Sequence, residues 1–165
     1  MSKKDQISQQ EYVKKCKNAA STGNLVAQNT LGYLYLNGQG IEKNYSEAAT
    51  WFKRAADSGY GAAQYNLAVM YKLGQGVEQN HTESIKWMQA AANQGNINAQ
   101  NSLGNMYYQG LAVMQDYEVA YMWWLLAEEG GAKDIQHNKN ELIKKMTALQ
   151  IKNAKQSAQQ WNVKH

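Results

Sequence analysis

The sequence predicts an all-α fold of stacked two-helix repeats, and three observations carry that prediction. Glycines stand at 23, 59, 95 and 131, a constant period of 36, with most of the intervening pattern recurring in register. Within each period the small and apolar residues fall at helical rather than strand spacing. Proline is absent and Cys16 is the single cysteine, so no intramolecular disulfide framework holds the chain.

The first helix of each repeat opens behind its glycine. Four residues on come Ala27, Ala63, Ala99 and Ile135, followed by Gln28, Gln64, Gln100 and Gln136. Leu31, Leu67 and Leu103 come next, then Gly32, Ala68 and Gly104, and then Tyr35, Tyr71 and Tyr107. These positions make one helical stripe. Glycine inside a helix costs about 1 kcal/mol against alanine, so Gly32 and Gly104 imply a neighbour passing too close for a side chain. Gly38, Gly74 and Gly110 suit the left-handed residue that closes a helix.

A short loop leads to the second helix. It reads Gln-Gly-Ile-Glu-Lys, then Gln-Gly-Val-Glu-Gln, then the divergent Leu-Ala-Val-Met-Gln. Asn44 with Glu47, and Asn80 with Glu83, have capping-box spacing, whereas Asp116 is followed by Val119 and its box is incomplete. Trp51 and Ala55, Trp87 and Ala91, and Trp123 and Ala127 recur at i, i+4, a knob beside a hole for the adjoining helix.

The ends read as half-units closing the stack. Residues 8–22 put Tyr12, Val13, Cys16, Ala19 and Ala20 on one stripe, a lone second helix. Residues 131–165 keep the pattern partly, with a Thr147/Gln150 capping box before a last helix over 148–162 carrying Ala154, Ala158 and Trp161. The expected organisation is one domain: tail and capping helix 1–22, repeats 23–58, 59–94 and 95–130, and degenerate capping helices 131–165.

A chain of 165 residues and 18.6 kDa is one domain's worth and buries roughly 70% of its unfolded surface. The longest near-apolar run, Ala120 to Ala127, falls far short of the roughly 18 residues of a membrane span. No apolar stretch follows the first lysines as a signal peptide requires. A soluble, cytoplasmic protein without membrane association is expected. The net charge of +4 divides as +3 over residues 1–22, neutrality over the first two repeats, −4 over 95–130 and +5 over 131–165. Arg54 is the only arginine. Basic ends around a neutral-to-acidic middle do not make the continuous basic stripe of a nucleic-acid protein, and no nucleic-acid partner is expected.

The run Gly-x-x-x-Ala-Gln-x-x-Leu-Gly-x-x-Tyr-x-x-Gly-x-Gly-Val/Ile, then Ala-x-x-Trp-x-x-x-Ala-Ala, resembles the Sel1-like repeat family, relatives of the tetratricopeptide repeat. The resemblance covers three good units over 23–130 and a degenerate fourth. It implies a right-handed α-solenoid of paired antiparallel helices, about three full repeats plus capping helices, that recognises proteins as scaffold, adaptor or inhibitor. Small bacterial members include secreted, cysteine-rich proteins with a disulfide in each repeat; this chain departs from those, which suits a reducing compartment. Some stand-alone bacterial members resemble immunity proteins that neutralise a toxin.

Function must come from residues pointing away from a packed core. Opposite the core stripe of the first helices lie Asn29, Tyr33 and Leu36; Tyr65, Val69 and Lys72; and Asn101, Asn105 and Tyr108. The resemblance puts this ladder on the concave groove. Its tyrosines and asparagines match the composition of protein interfaces; the alternative is half-exposed filler between helices. A secondary acidic patch, Glu128 and Glu129, closes a second helix where negative charge opposes the macrodipole, which suits either a basic partner or simple solvation. Leu111 and Met114 in the divergent loop belong either to an interface or to a local plug.

Catalysis needs converging nucleophiles, bases or carboxylates. His81, His137 and His165 lie far apart, Cys16 sits on an apolar stripe, and the Gly-Gln-Gly stretches lack the lysine and Ser/Thr of a phosphate loop. No enzymatic activity, metal or cofactor is expected. The expected function is a monomeric module binding another protein along the concave face. The alternatives are an immunity or inhibitor protein with a cognate toxin, or a binder of peptidoglycan or a small ligand.

Overall fold

A computed structural model describes residues 3–164, and the side chains of residues 7–162. Among the described residues the chain is all-helical, with α1 (Lys3–Ser21), α2 (Leu25–Asn37), α3 (Tyr45–Asp57), α4 (Gly61–Leu73), α5 (His81–Asn93), α6 (Ile97–Gln109), α7 (Tyr117–Glu129), α8 (Gln136–Ile143) and α9 (Ala148–Lys164). Residues 1–84 and 85–165 make two compact units, described in turn.

In the first unit α2 packs on α1 and α3, and α3 packs on α4. Sequence sets several of its helix ends. Asn24 and Asn44 accept from the N–H groups of Ala27 and Glu47 at 2.9 and 3.0 Å, and Gly38 and Gly74 close α2 and α4 with φ of 70° and 67°. The cap's own N–H, which a capping box returns to the glutamate, instead crosses the hairpin. Asn44 N donates to the Tyr35 carbonyl at 2.9 Å, and Asn80 N to that of Tyr71 at 3.0 Å. This clasp makes the glutamate dispensable, which is why the third repeat tolerates Val119: there Asp116 N donates to Tyr107 O at 3.0 Å.

The recurring glutamines are stitches between repeats. Gln28 Nε2 donates to the Ala20 carbonyl at 3.1 Å, and Gln64 Nε2 to that of Ala56 at 3.3 Å, satisfying a carbonyl at the end of the preceding helix. The bond to Ala20 marks α1 as a lone second helix. Val13, Cys16 and Ala20 bury its stripe against Leu31 and Leu34. Tyr12, expected on that stripe, is 52% exposed, since i, i+3, i+7 from Val13 turns it toward solvent.

The knob in the hairpin is not the recurrent tryptophan but the residue after it. Phe52 is fully buried while Trp51 stays half-buried beneath the Arg54 guanidinium, 4.6 Å from the ring. A Cβ on Gly32 would lie 2.6 Å from the Phe52 ring, so the close neighbour implied by that glycine is an aromatic side chain. Gly76 shows another close approach, with its φ of 71° and an added Cβ only 2.1 Å from the Tyr45 carbonyl oxygen. No other residue fits there.

In the second unit α7 packs on α6, α9 and α8. Gln100 Nε2 donates to Ala92 O at 3.3 Å, and Gly104 faces Trp124 as Gly32 faces Phe52, with an added Cβ 2.4 Å from the indole. The degenerate fourth repeat departs from this scheme. Its helix starts only at Gln136, which is exposed and donates to Asn140 instead. Where the repeats carry a core leucine it has Lys139, 5% exposed, whose ammonium pairs with Glu128 and lies 5.9 Å from the Tyr121 ring centre. The Thr147/Gln150 box is complete: Thr147 N donates to Gln150 Oε1 at 2.9 Å and Gln150 N to Thr147 Oγ1 at 3.2 Å. Ala154 and Ala158 bury α9, and Trp161 meets Trp123 edge-on at 6.5 Å.

Candidate functional site

The first-helix ladder is best built from its amides. In the first unit Tyr33 is 41% exposed, with its ring edge-on to Phe52 at 5.4 Å. Its hydroxyl donates to Asn66 Oδ1 at 2.9 Å, and Asn66 Nδ2 donates to Asn29 Oδ1 at 2.9 Å. Asn66 and Asn29 are both buried. Asn29, expected to face outward, therefore lies beneath the ladder, held by an amide that sequence reasoning missed. Leu36, Tyr65 and Val69 are half-buried and Lys72 is exposed.

The second unit repeats the device two repeats later. Asn138 Nδ2 donates to Asn105 Oδ1, and Asn105 Nδ2 to Asn101 Oδ1, both at 3.4 Å. Asn66 and Asn138 hold the same position, seven after their glycines, and each reaches back to the preceding repeat. The available signal was an asparagine there beside a hydrogen-bonding pair four residues apart in the repeat before. Between these two sets the sequence puts Tyr65 and Val69, with Ser102 in the asparagine position.

Tyr108 is half-buried among aromatics, 5.9 Å from Tyr117 and 5.5 Å from Trp124. Lys145, between α8 and α9, donates to its hydroxyl at 2.9 Å and holds its ammonium 4.9 Å from the ring centre. The hydrogen bond to Tyr108 is the first cause raising the Lys145 pKa above its ordinary value, with the charges of Tyr108, Tyr117 and Glu141 adding to it.

Glu128 and Glu129 sit exposed at the end of α7. Glu128 pairs with Lys139, and Glu129 Oε2 accepts from Asn162 Nδ2 at 2.5 Å. Both carboxylates thus tie α7 to the helices that follow, which offsets their placement against the macrodipole. Leu111 and Met114 are 53% and 88% exposed, so neither is a buried plug.

The residues weighed for chemistry stay dispersed. Cys16 is buried, His81 and His137 are exposed on α5 and α8, and His165 lies outside the described residues. Among the described residues no three His, Cys, Asp or Glu side chains gather as a metal site. No described helix is long and apolar enough to cross a membrane. The ladder offers amide and hydroxyl donors and acceptors, half-exposed tyrosine and aliphatic surface, and the exposed cation of Lys72.

Paired helices in 36-residue register, stitched by glutamine and asparagine, define a helical-repeat protein of the α-solenoid class. Residues 25–60, 61–96 and 97–131 each match the Sel1 repeat, and the chain belongs to that family. A Sel1 repeat protein from Oxalobacter formigenes is 35% identical, with a TM-score of 0.64 over 72% of this chain and 45% of that one. A protective antigen present in uropathogenic Escherichia coli strains, displaying an SLR fold, is 29% identical, with a TM-score of 0.63 over 90% of this chain and 40% of that one. This chain spans less than half of either structure's chain. No curated protein matches it.

Proposed function

We propose that this protein is a non-enzymatic scaffold or adaptor that binds a partner protein along the face of its first helices. Sel1 repeat proteins are generally scaffolds for protein interaction. The observation that carries the reading is the chain Tyr33–Asn66–Asn29, in which the amides behind the exposed surface are hydrogen-bonded in place. Side chains immobilised before binding lose less entropy on binding, so their contacts contribute more of their energy to affinity. Tyrosine adds a large contact area with few rotamers. The presenting residues are then Tyr33, Leu36, Tyr65, Val69 and Lys72 in the first unit and Tyr108 in the second, with Asn29, Asn66, Asn101, Asn105 and Asn138 as their supports.

Alanine at Tyr33 or Tyr108 would disturb the packing around Phe52 and Trp124, so the test uses positions outside those clusters. Affinity capture with mass spectrometry is run on the wild type and on a Leu36→Ser, Tyr65→Ser, Lys72→Glu variant. Unchanged helicity with loss of the captured partner is the expected result. Equal capture by the folded variant would place recognition elsewhere.

A further inference from the structure

Thirteen residues after their glycines the three repeats carry Leu36, Lys72 and Tyr108, so only the third puts a hydroxyl at this place on the first-helix face. The group that meets it comes from the shortened fourth repeat. Helix α8 ends after eight residues, against thirteen for α2, α4 and α6. The chain therefore turns at Lys144–Met146, with Lys145 N donating to the Leu142 carbonyl at 2.9 Å, and the Lys145 side chain comes to rest against Tyr108.

Donors and acceptors decide what this pair can bind. An ammonium only donates, so the 2.9 Å contact uses a lone pair of the Tyr108 oxygen and leaves the hydroxyl proton to donate elsewhere. Among the described residues that proton meets no acceptor. Lys145 is exposed, keeps two further N–H groups and makes no ion pair among the described residues. Hydrogen bonds in sequence polarise one another, so the ammonium makes the hydroxyl a stronger donor. Both groups call for the same ligand atom, an oxygen bearing negative charge. The ring is already held by Tyr117 and Trp124, at 5.9 and 5.5 Å, so little freedom is lost when such an oxygen docks.

The surrounding charge agrees. Residues 131–165 contain seven lysines and two acids. Lys139 pairs with Glu128, and Lys144 with Glu141, so Glu141, four residues before Lys145, is already engaged. On α7, Asp116 caps the helix through Val119 N at 3.0 Å, and Glu118 accepts from Asn153 Nδ2 on α9 at 3.3 Å. Neither carboxylate is bonded to Lys145.

We infer that Tyr108 and Lys145 form an oxyanion subsite that takes a glutamate or aspartate side chain of the partner protein. The subsite deepens the reading of the first-helix face as a partner-binding surface and rests on it. The tyrosine O–H and a lysine N–H each donate to the carboxylate, and charge-assisted bonds of this kind discriminate strongly against a neutral amide.

The probe is a labelled, N-acetylated and C-amidated peptide of alternating glutamate and leucine, followed by fluorescence anisotropy beside its counterpart with glutamine for glutamate. Tyr108→Phe removes the hydroxyl and keeps the ring, and Lys145→Met removes one exposed charge. The glutamate peptide should bind more tightly than the glutamine peptide, with an affinity that falls as salt rises. Tyr108→Phe should weaken it about tenfold, and Lys145→Met about twofold to fivefold. Equal binding of the two peptides, or binding unchanged in either folded variant, would overturn the proposal. So would inorganic phosphate displacing the peptide at concentrations below those at which the peptide itself binds, since the occupant would then be a small oxyanion. Capture by the Leu36→Ser, Tyr65→Ser, Lys72→Glu variant tests the wider face independently. Loss of capture there with equal binding of the two peptides here would overturn the subsite and leave the face standing.

Discussion

Gly32 lies against the Phe52 ring so closely that a Cβ there would sit 2.6 Å from Cε1. Alanine raises intrinsic helix propensity by about 1 kcal/mol over glycine, but overfilling a packed core costs about 1–3 kcal/mol. Gly32→Ala should therefore lower stability in urea unfolding rather than raise it. Adding Phe52→Met should recover part of the loss, because the middle repeat carries Ala68 and Met88 at the same two positions. A Gly32→Ala protein more stable than the wild type would contradict the geometry.

Ala112 has φ of 61°, the only non-glycine residue with positive φ among those described, where the sister loops have Gly40 and Gly76. A left-handed alanine carries about 1 kcal/mol of strain. Ala112→Gly should accordingly stabilise the protein by up to about 1 kcal/mol, less what glycine's freedom adds to the unfolded chain. Thermal unfolding will register this as a rise in Tm, and a fall would show that the loop is not strained.

Lys139 occupies the place of Leu31, Leu67 and Leu103, buried and paired with Glu128. Removing one partner leaves a buried ammonium uncompensated, so Glu128→Gln should cost about 1–3 kcal/mol, toward the lower end because Glu128 itself is 41% exposed. Lys139→Leu restores the repeat's own residue and should be neutral or stabilising. Chemical denaturation of the two single variants distinguishes these outcomes, and a strongly destabilised Lys139→Leu would mean the ion pair itself is needed.

Alkaline pH should weaken the fold. Tyr121 has its pKa raised above 10.0 by burial first and by Glu128 second, and Lys145 is raised above 10.5 chiefly by its bond to Tyr108. A raised folded pKa stabilises fully below the unfolded value, and the contribution disappears as pH climbs through the folded one. Stability should thus hold level through neutrality and fall above about pH 10. Tyr121→Phe and Lys145→Met should each make that fall shallower, and an alkaline limb unmoved by both would assign it to other groups.

Much of this was legible from local chemistry. Period, helix caps, the Thr147/Gln150 box and the buried stripe of Val13, Cys16 and Ala20 follow from spacing and residue type, because helix ends and faces are set by neighbours three to seven residues away. The candidate site was legible only as a helix face. Nothing local says that Asn29 is covered by an asparagine 37 residues later, or that Lys145 comes to rest on Tyr108.

By itself the sequence determined the class of fold, the period of the repeats and the asparagine and glycine caps of their helices. Tertiary structure decided which residue of a recurring pair is the knob, Phe52 rather than Trp51, and where the glutamine and asparagine amides find partners. It also decided that Glu128 serves a buried lysine while Leu111 and Met114 stand in solvent. The physical reason is range. A repeating pattern encodes the contacts that every repeat makes alike, whereas burial and pairing at a single position depend on the one neighbour that packing brings against it.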